Sequence, residues 1–422
     1  MKKYFLLFVL CVSVFFFHSI VTKHAIYGDG NGYYSYTHAL FFERSLNFGP
    51  IYDHLSHFQG TKFIFSRIFW KTDYANGGII RQNPYTIGTG LAWLPSMAFI
   101  SIVNSFLNLG VDKFSLIYEL GPGISGIIFI LAGLYFLEKY LLNFFSKQTV
   151  FWTILTVFFA TNVFYYSAFE PALSHQPNFF LISFLLYWTY KFKPGTKNIF
   201  ILGLLTGFLA IIRMVDVIML IPIIYQVLKN RPNIRKLPVY LLGLSIAVSP
   251  QLITQNLMFG NILNNPYLSG QNGIWQFNLI RLWDHLFSPL RGLFLWSPVL
   301  LPAFYGLVKY KAKVFSCSII LLWLISSFWS GSLSAGYGQR LSFVAIPVLS
   351  VGLAYLLEKW KVKSIIYFFV IFSFININLI STFYLHKDRL LEPASVSFKE
   401  FIQLQINNPA EVLGYLRTTL KH

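Results

Sequence analysis

Long apolar runs, separated by short polar connections, constrain this chain more than any other feature. A run of about 20 apolar residues has the length of a membrane-spanning helix. In lipid, a helix satisfies its own backbone hydrogen bonds. Only 11% of the 422 residues are charged, whereas about a quarter are charged in a typical soluble protein. We therefore predict an all-α polytopic membrane protein. The runs cover 4–22, 86–108, 116–138, 149–168, 176–191, 197–212, 215–228, 237–258, 293–308, 314–330, 341–357 and 364–384.

Basic residues cluster in alternate connections between these runs. Lysine and arginine concentrate in the cytoplasmic loops of membrane proteins. The net charge of +18 therefore predicts orientation and gives no reason to expect a nucleic-acid partner. If all the clusters face the cytoplasm, the runs from residue 116 onward alternate consistently across the membrane. The clusters are Lys2/Lys3, Lys139/Lys147, Lys191/Lys193/Lys197, Lys229/Arg231/Arg235/Lys236, Lys309/Lys311/Lys313 and Lys359/Lys361/Lys363.

The same alternation makes the run 86–108 exceptional. The chain leaves the first helix on the outer side near residue 23 and must still be outside at 116. The run 86–108 should then be an irregular or interfacial helix, which Pro95 favours. The rival interpretation makes this run a true span and reverses everything after it, which would place the later basic clusters outside.

The preferred topology has about eleven transmembrane helices and two long outer loops, 23–115 and 259–292. Residues 1–384 are predicted to form a single transmembrane catalytic domain, with juxtamembrane helices in the first outer loop. Residues 385–422 form a short outer-face tail. In that tail, the sequence Asn408-Pro409-Ala410-Glu411 is typical of a helix start, and we predict a surface helix beginning there.

A carboxylate between glycines, Asp29, lies where the chain should leave the membrane. It belongs to the stretch Tyr27–Tyr36, which also carries several tyrosines. Asp-Gly and Asn-Gly pairs favour a simple turn. The chemical alternative is sugar transfer, in which a carboxylate takes the proton of an acceptor hydroxyl as it attacks the anomeric carbon. Glycine would let a substrate approach the backbone closely.

Two further stretches place polar groups on the predicted outer face. The stretch Asn83–Pro95 contains Tyr85 and is also typical of an aromatic interface belt. The stretch Phe169–Pro177 contains Glu170 and His175, which could contact a substrate or form an exposed turn. The chain has no HExxH or similar spacing, so no metal ligands are assigned, although a divalent cation is not excluded.

Three arginines lie near predicted outer span ends. Arg213 is followed three residues later by Asp216, and a mutual ion pair is the simpler interpretation. Arg291 and Arg340 each lie among small residues at the start of a span. Interfacial arginines often extend toward water. A guanidinium with open space beside it also suits a phosphate bidentately, so we predict that these two bind a lipid phosphate.

These short motifs, taken together, resemble the bacterial multi-spanning glycosyltransferases with the GT-C fold. That group includes the protein mannosyltransferases and lipid A aminoarabinose transferases, and the likeness is to its uncharacterised branch. The resembling pieces are Asp29 in Gly-Asp-Gly, Tyr85–Pro95, Ser174-His175, Ser288–Leu293 and Gly336–Arg340. The resemblance implies a polyprenyl-phosphate sugar donor, the first-loop acid as base, and juxtamembrane helices. Many members carry a second acid in the turn where this chain has Ser174-His175-Gln176, although Glu170 is nearby. Many also carry an appended outer domain, whereas the sequence after the last predicted span is the short tail 385–422.

The sequence therefore predicts a GT-C-like, inverting hexosyl- or pentosyltransferase. It would move a sugar from a polyprenyl-phosphate donor to a glycan, lipid or protein acceptor on the outer face of the cytoplasmic membrane. Asp29 would be the base, and Arg291 and Arg340 would bind the donor phosphate. A transporter or lipid flippase is the second hypothesis, although most charges lie near span ends instead of helix midpoints. A non-catalytic envelope assembly protein is the third. Residues expected to shape the sugar or acceptor site are Tyr33, Tyr34, Tyr85, Glu170 and His175.

Overall fold

The computed structural model describes residues 2–56, 82–262, 274–333, 336–391 and 396–419. Helices form almost all of the regular structure in these ranges, and Trp275 and Trp329 make one isolated antiparallel bridge. The chain divides into two compact units. Unit 1 comprises 1–137 and 166–274, and unit 2 comprises 138–165 and 275–422.

The first unit contains the first predicted loop and the helices around it. The helices that lie wholly or mainly in unit 1 are α1 (Lys2–Thr22), α2 (Gly30–His38), α3 (Gly49–Ser56), α4 (Gly88–Leu107), α5 (Leu116–Leu141), α8 (His175–Tyr190), α9 (Thr196–Ile212), α10 (Leu220–Lys229) and α11 (Leu237–Phe259). The boundary between the units at Tyr165 and Tyr166 falls inside α7 (Asn162–Ala168), most of which belongs to unit 2. A π-helical turn, Ala39–Glu43, extends α2, and a 3₁₀ helix, Met214–Met219, joins α9 to α10.

The second unit contains the remaining helices. They are α6 (Lys147–Phe159), α12 (Leu279–Phe287), α13 (Leu293–Trp296), α14 (Leu300–Lys309), α15 (Lys313–Phe328), α16 (Ile346–Leu357), α17 (Val362–Leu385), α18 (Lys387–Leu391) and α19 (Phe398–Thr419). A 3₁₀ helix, Arg340–Ala345, leads directly into α16.

The described residues contain enough long apolar helices for a multi-pass membrane protein. Six helical segments have the length and hydropathy to cross a membrane, or seven if α6 and α7, which are bent by 65° at their break, form one span. Three apolar helices are shorter: α9, α14 and α15. The all-α polytopic class is confirmed. The count of about eleven spans stays a prediction, because the shorter helices fall below the length criterion.

The first loop returns to the end of the bundle from which it starts. Ala25, just after α1, donates its backbone N–H to Oε2 of Glu119 at 3.0 Å, and His24 Nδ1 lies 2.7 Å from the same oxygen. Glu119 lies in the first turn of α5. The end of α1 and the start of α5 therefore touch, which agrees with a first loop that starts and finishes on one side; whether α4, itself one of the six candidate spans, crosses the membrane stays a prediction.

Helix α4 lies in that segment and joins two span ends. Near its start, the Thr86 hydroxyl donates to the carbonyl of Ile212 at the end of α9, at 2.8 Å. Near its end, the Asn104 amide lies 3.4 Å from the hydroxyl of Tyr118 at the start of α5. The helix is continuous through Pro95, and its expected interfacial position stays a prediction.

The tail helix begins earlier than its sequence pattern predicts. Helix α19 starts at Phe398, and Asn408 and Pro409 lie inside it. The Asn408 amide does not cap a helix start, because it donates instead to Oδ1 of Asn378 in α17, at 2.7 Å. A tertiary contact therefore replaces the predicted local one.

Candidate functional site

Asp29 lies at the N-terminal end of α2, after a tight turn. The Gly30 N–H donates to the carbonyl of Tyr27 at 2.9 Å, which is the predicted turn, and α2 follows immediately. The Asp29 carboxylate makes no capping bond to its own helix. It accepts a hydrogen bond from the Tyr85 hydroxyl at 3.0 Å, and it is half-buried. The carboxylate is therefore held by a side chain from the second predicted stretch.

The packing of α2 depends on two glycines. A Cβ on Gly30 would lie 2.3 Å from the carbonyl oxygen of Ala172, in the turn before α8. A Cβ on Gly32 would lie 2.0 Å from the Tyr85 ring. Real Cβ atoms do not approach other atoms so closely, so glycine is needed at both positions. Gly30 and Gly32 therefore let α2, with Asp29 at its start, pack against the stretch Phe169–Pro177 and against Tyr85.

Asn83 joins Tyr85 to α2. Its amide donates to the Gly32 carbonyl at 2.9 Å, and its carbonyl accepts the Tyr85 N–H at 3.0 Å. The rings of Tyr33 and Tyr85 meet edge to face, with centroids 5.0 Å apart. Tyr34 is only 1% exposed, so it can shape the site from behind but has almost no surface for a ligand.

Glu170 lies in the turn that Gly30 contacts. The Gln176 amide donates to the carbonyls of Glu170 and Tyr166, at 3.2 and 2.9 Å, and this holds the turn against α8. Burial raises the pKa of Tyr27 to about 12, and the negative charge of Glu170 adds to that rise against an opposing hydrogen bond from Thr22. Tyr27 therefore stays a neutral hydroxyl beside the carboxylates of this region.

His175, the first residue of α8, is joined to Arg213. Arg213 Nη1 lies 2.9 Å from His175 Nδ1. A guanidinium has only donors, so Nδ1 must be the acceptor and carries no proton. Arg213 also lies 3.8 Å from Asp216 Oδ1, and the Asn178 amide donates to Asp216 Oδ2 at 2.7 Å. The predicted Arg213–Asp216 ion pair is present, but it belongs to a larger network that includes His175.

Asp216 is completely buried in this network. Burial raises the pKa of its carboxyl, and the Arg213 charge and the Asn178 hydrogen bond oppose that rise. A buried carboxylate needs charged or polar partners; here Oδ2 accepts the Asn178 amide, and Oδ1 has the Arg213 guanidinium 3.8 Å away without a hydrogen bond. The pair therefore fixes the Arg213 side chain, which is 15% exposed, beside His175.

The two other predicted arginines lie in unit 2. Arg291 is 2% exposed, and it donates to the carbonyls of Leu290 and Leu390, the latter at 2.9 Å. Arg340 is half-buried and begins the 3₁₀ helix before α16. Asp29 and these arginines belong to different units, and their participation in one site stays a prediction.

No group of three or more His, Cys, Asp or Glu side chains within the described residues could hold a metal ion.

Comparison with known proteins shows what this arrangement is similar to. No family model matches the chain, and no curated protein matches it. Among solved structures, the chain is similar to the apo crystal structure of ArnT from Cupriavidus metallidurans, an aminoarabinose transferase. The two share 10% sequence identity with a TM-score of 0.52, over 98% of this chain and 77% of that one. The chain has a GT-C-like fold. At this identity the likeness shows the fold alone, and the predicted fold class is confirmed.

Sequence reasoning missed two residues that hold parts of this arrangement in place. Asn178 holds the buried Asp216 carboxylate, and Glu119 holds the segment before Asp29. Glu119 had one available signal, since it is an acid within an otherwise apolar run. Asn178 had none, because its partner lies 38 residues away on another helix.

Proposed function

We propose that this chain is a membrane glycosyltransferase that uses a polyprenyl-phosphate sugar as donor. The observation that carries the proposal is the half-buried Asp29 carboxylate, held by the Tyr85 hydroxyl in a GT-C-like fold. It lies where span ends and outer turns of unit 1 meet. A carboxylate in such a place can serve as a general base for a hydroxyl nucleophile.

The proposed reaction is a single displacement with inversion. The acceptor hydroxyl oxygen attacks the anomeric carbon and forms the new glycosidic bond. Asp29 takes the hydroxyl proton, and the bond between the anomeric carbon and the phosphate oxygen breaks. Polyprenyl phosphate leaves with that electron pair. The Tyr85 hydrogen bond orients the carboxylate toward the acceptor hydroxyl.

The sugar or acceptor would lie against the surface that the three stretches of unit 1 share. Tyr33 and Tyr85 offer aromatic edges, and Glu170 and His175 offer polar groups. Tyr34 would act through its packing. Because Arg213 occupies Nδ1 of His175, the other ring nitrogen, Nε2, carries the proton of the neutral imidazole.

The donor phosphate needs a cation. Arg291 and Arg340 remain the proposed phosphate ligands from unit 2. Arg213 is an additional candidate, because it belongs to the same unit as Asp29 and its position is fixed by Asp216. Replacing each arginine by glutamine in turn would separate these roles. The replacement that removes the phosphate ligand should raise the KM for the donor most.

We place the site on the outer face of the cytoplasmic membrane. The basic clusters favour a cytoplasmic location for the opposite ends of the spans. Helix α4 would lie along the outer interface, since its two ends contact span ends that the alternation puts on one side. Membrane lipid would contact its exposed apolar face, which includes Phe99, Ile102 and Phe106.

A donor panel tests this proposal. Membranes containing the protein would receive polyprenyl-phosphate sugars labelled in the sugar, or the matching nucleotide sugars. We expect label to enter an envelope acceptor from one or more lipid-linked donors, with one polyprenyl phosphate released per sugar transferred. Transfer from nucleotide sugars alone would contradict the donor class. Movement of intact lipid-linked sugar across the membrane without transfer would favour a flippase.

A further inference from the structure

The carboxylate of Glu119 lies against polar groups from three places. Oε2 accepts the Ala25 N–H at 3.0 Å and lies 2.7 Å from His24 Nδ1. Oε1 lies 3.7 Å from His54 Nε2 near the end of α3. Glu119 is 2% exposed, and a buried carboxylate needs such partners to offset its lost hydration. Its one charge therefore joins α5 to the segment after α1 and to α3.

The segment that Glu119 holds leads directly to Asp29. The Tyr27 hydroxyl donates to the carbonyl of His24 at 2.6 Å, and it lies 2.5 Å from the Thr22 hydroxyl. The Tyr27 carbonyl then accepts the Gly30 N–H in the turn that contains Asp29. A continuous set of contacts thus runs from Glu119 through residues 24–27 to the proposed base.

Asp29 is consequently fixed from two sides. On the upstream side the anchor is Glu119, through His24 and Ala25. On the downstream side the anchor is the packing of Gly30 against Ala172. With only the downstream anchor, the turn before α2 could rotate and move the carboxylate away from Tyr85.

We infer that Glu119 is a positioning residue: its charge fixes the segment 24–29 and thereby sets where the Asp29 carboxylate lies for transfer. The charge matters in addition to the shape, because an amide in its place would direct an NH₂ group at one of the same donors. The catalytic part of this inference rests on the proposed function, and the anchoring part does not. A displacement of about 1 Å at a catalytic group can slow the reaction by about 100-fold.

Glu119→Gln is the test, because it keeps the shape and removes the charge. Glu358→Gln is the matched control. Glu358 is an exposed acid of unit 2 that accepts the Ser146 N–H at 3.2 Å at the start of α6. Hydrogen exchange of the purified full-length proteins in detergent would be followed in fragments covering 23–38 and 146–159. Transfer kinetics would be measured on the same preparations.

In Glu119→Gln we expect exchange in 23–38 to rise by about 10-fold or more, since hydrogen bonds to charged groups are the strong ones. We expect kcat to fall by at least about 10-fold with the donor KM changed less than about 2-fold. Glu358→Gln should raise exchange only in 146–159 and leave kcat unchanged. Glu119→Asp should recover part of the lost kcat, because it restores the charge.

The two readouts separate the two proposals. Unchanged exchange in 23–38 in Glu119→Gln would overturn the anchoring. Faster exchange with an unchanged kcat would overturn the positioning role. If the wild-type protein transfers no sugar from any donor, the proposed function fails, while the exchange result still decides whether Glu119 anchors this segment.

Discussion

The Asp29–Tyr85 hydrogen bond is the residue-scale feature on which the proposed chemistry depends. Its 3.0 Å geometry orients one carboxylate oxygen. We expect Tyr85→Phe to lower kcat by about 10-fold, which is the usual effect of removing a hydrogen bond to a charged group. The measurement is the initial transfer rate at saturating donor. Tyr52→Phe is the control, because Tyr52 belongs to the same buried cluster but donates to the Gln82 carbonyl at 3.0 Å. Equal loss in both variants would contradict the role of Tyr85.

His38 makes the stability of this region depend on pH. Burial lowers the pKa of its imidazole from 6.5 to about 4. Because the unfolded chain binds the proton more readily, the folded state is favoured most above pH 6.5 and loses that advantage as the pH falls toward 4. The loss is about 3 kcal/mol over this window. His38→Phe keeps the stacking on Phe114, whose ring centroid lies 4.9 Å away, and should flatten the acid side of the stability curve in detergent. Parallel curves for both proteins would contradict this account.

At the residue scale, the sequence was informative only where a local pattern carried the information. Asp29 was identifiable because glycines and tyrosines surround it within ten residues. Ala25, His24 and His54, the partners of Glu119, all lie more than 60 positions away, and no local spacing predicts them. The sequence predicted only the ion pair of Arg213 with Asp216. It did not predict the contact of Arg213 with His175, because that contact depends on the packing of α8 beside α9.

At the element scale, the position of α2 depends on its contact with the turn before α8. Gly30→Ala should push α2 away from the Ala172 carbonyl, and overpacking of this kind costs about 1–3 kcal/mol. We expect both a lower melting temperature and a loss of transfer. Gly195→Ala is the matched control, since a Cβ there meets nothing within 4 Å and its backbone is extended. A Gly30→Ala protein as stable and active as the control would contradict the packing argument.

The apolar runs predicted helix positions well because hydrophobic length is a local property. Starts and ends were less predictable. The tail helix begins at Phe398, before the Asn408 pattern, because the Asn408 side chain bonds to α17 instead of capping. Pro95 lies inside a continuous α4, so this proline did not mark a helix end although proline removes one backbone hydrogen bond.

At the scale of the whole molecule, the central prediction is that the first loop starts and finishes on one side of the membrane. Single cysteines would be introduced at Ser45, Leu109 and Gly195, in a protein lacking Cys11 and Cys317. We expect an impermeant maleimide to label positions 45 and 109 in intact cells, and position 195 only after lysis. Labelling of 45 and 109 from opposite sides would show that α4 crosses the membrane. Labelling of position 195 alone in intact cells would show that the orientation is the reverse of the predicted one.

The most direct test of the account is sugar transfer by Asp29→Asn at matched expression and folding. Asp53→Asn is the control, because Asp53 lies exposed in α3 of the same loop. We predict that Asp29→Asn lowers kcat by at least about 100-fold, the contribution of a general base, while Asp53→Asn transfers at the wild-type rate. Equal transfer by wild-type protein and Asp29→Asn would contradict the assignment of Asp29 as the base.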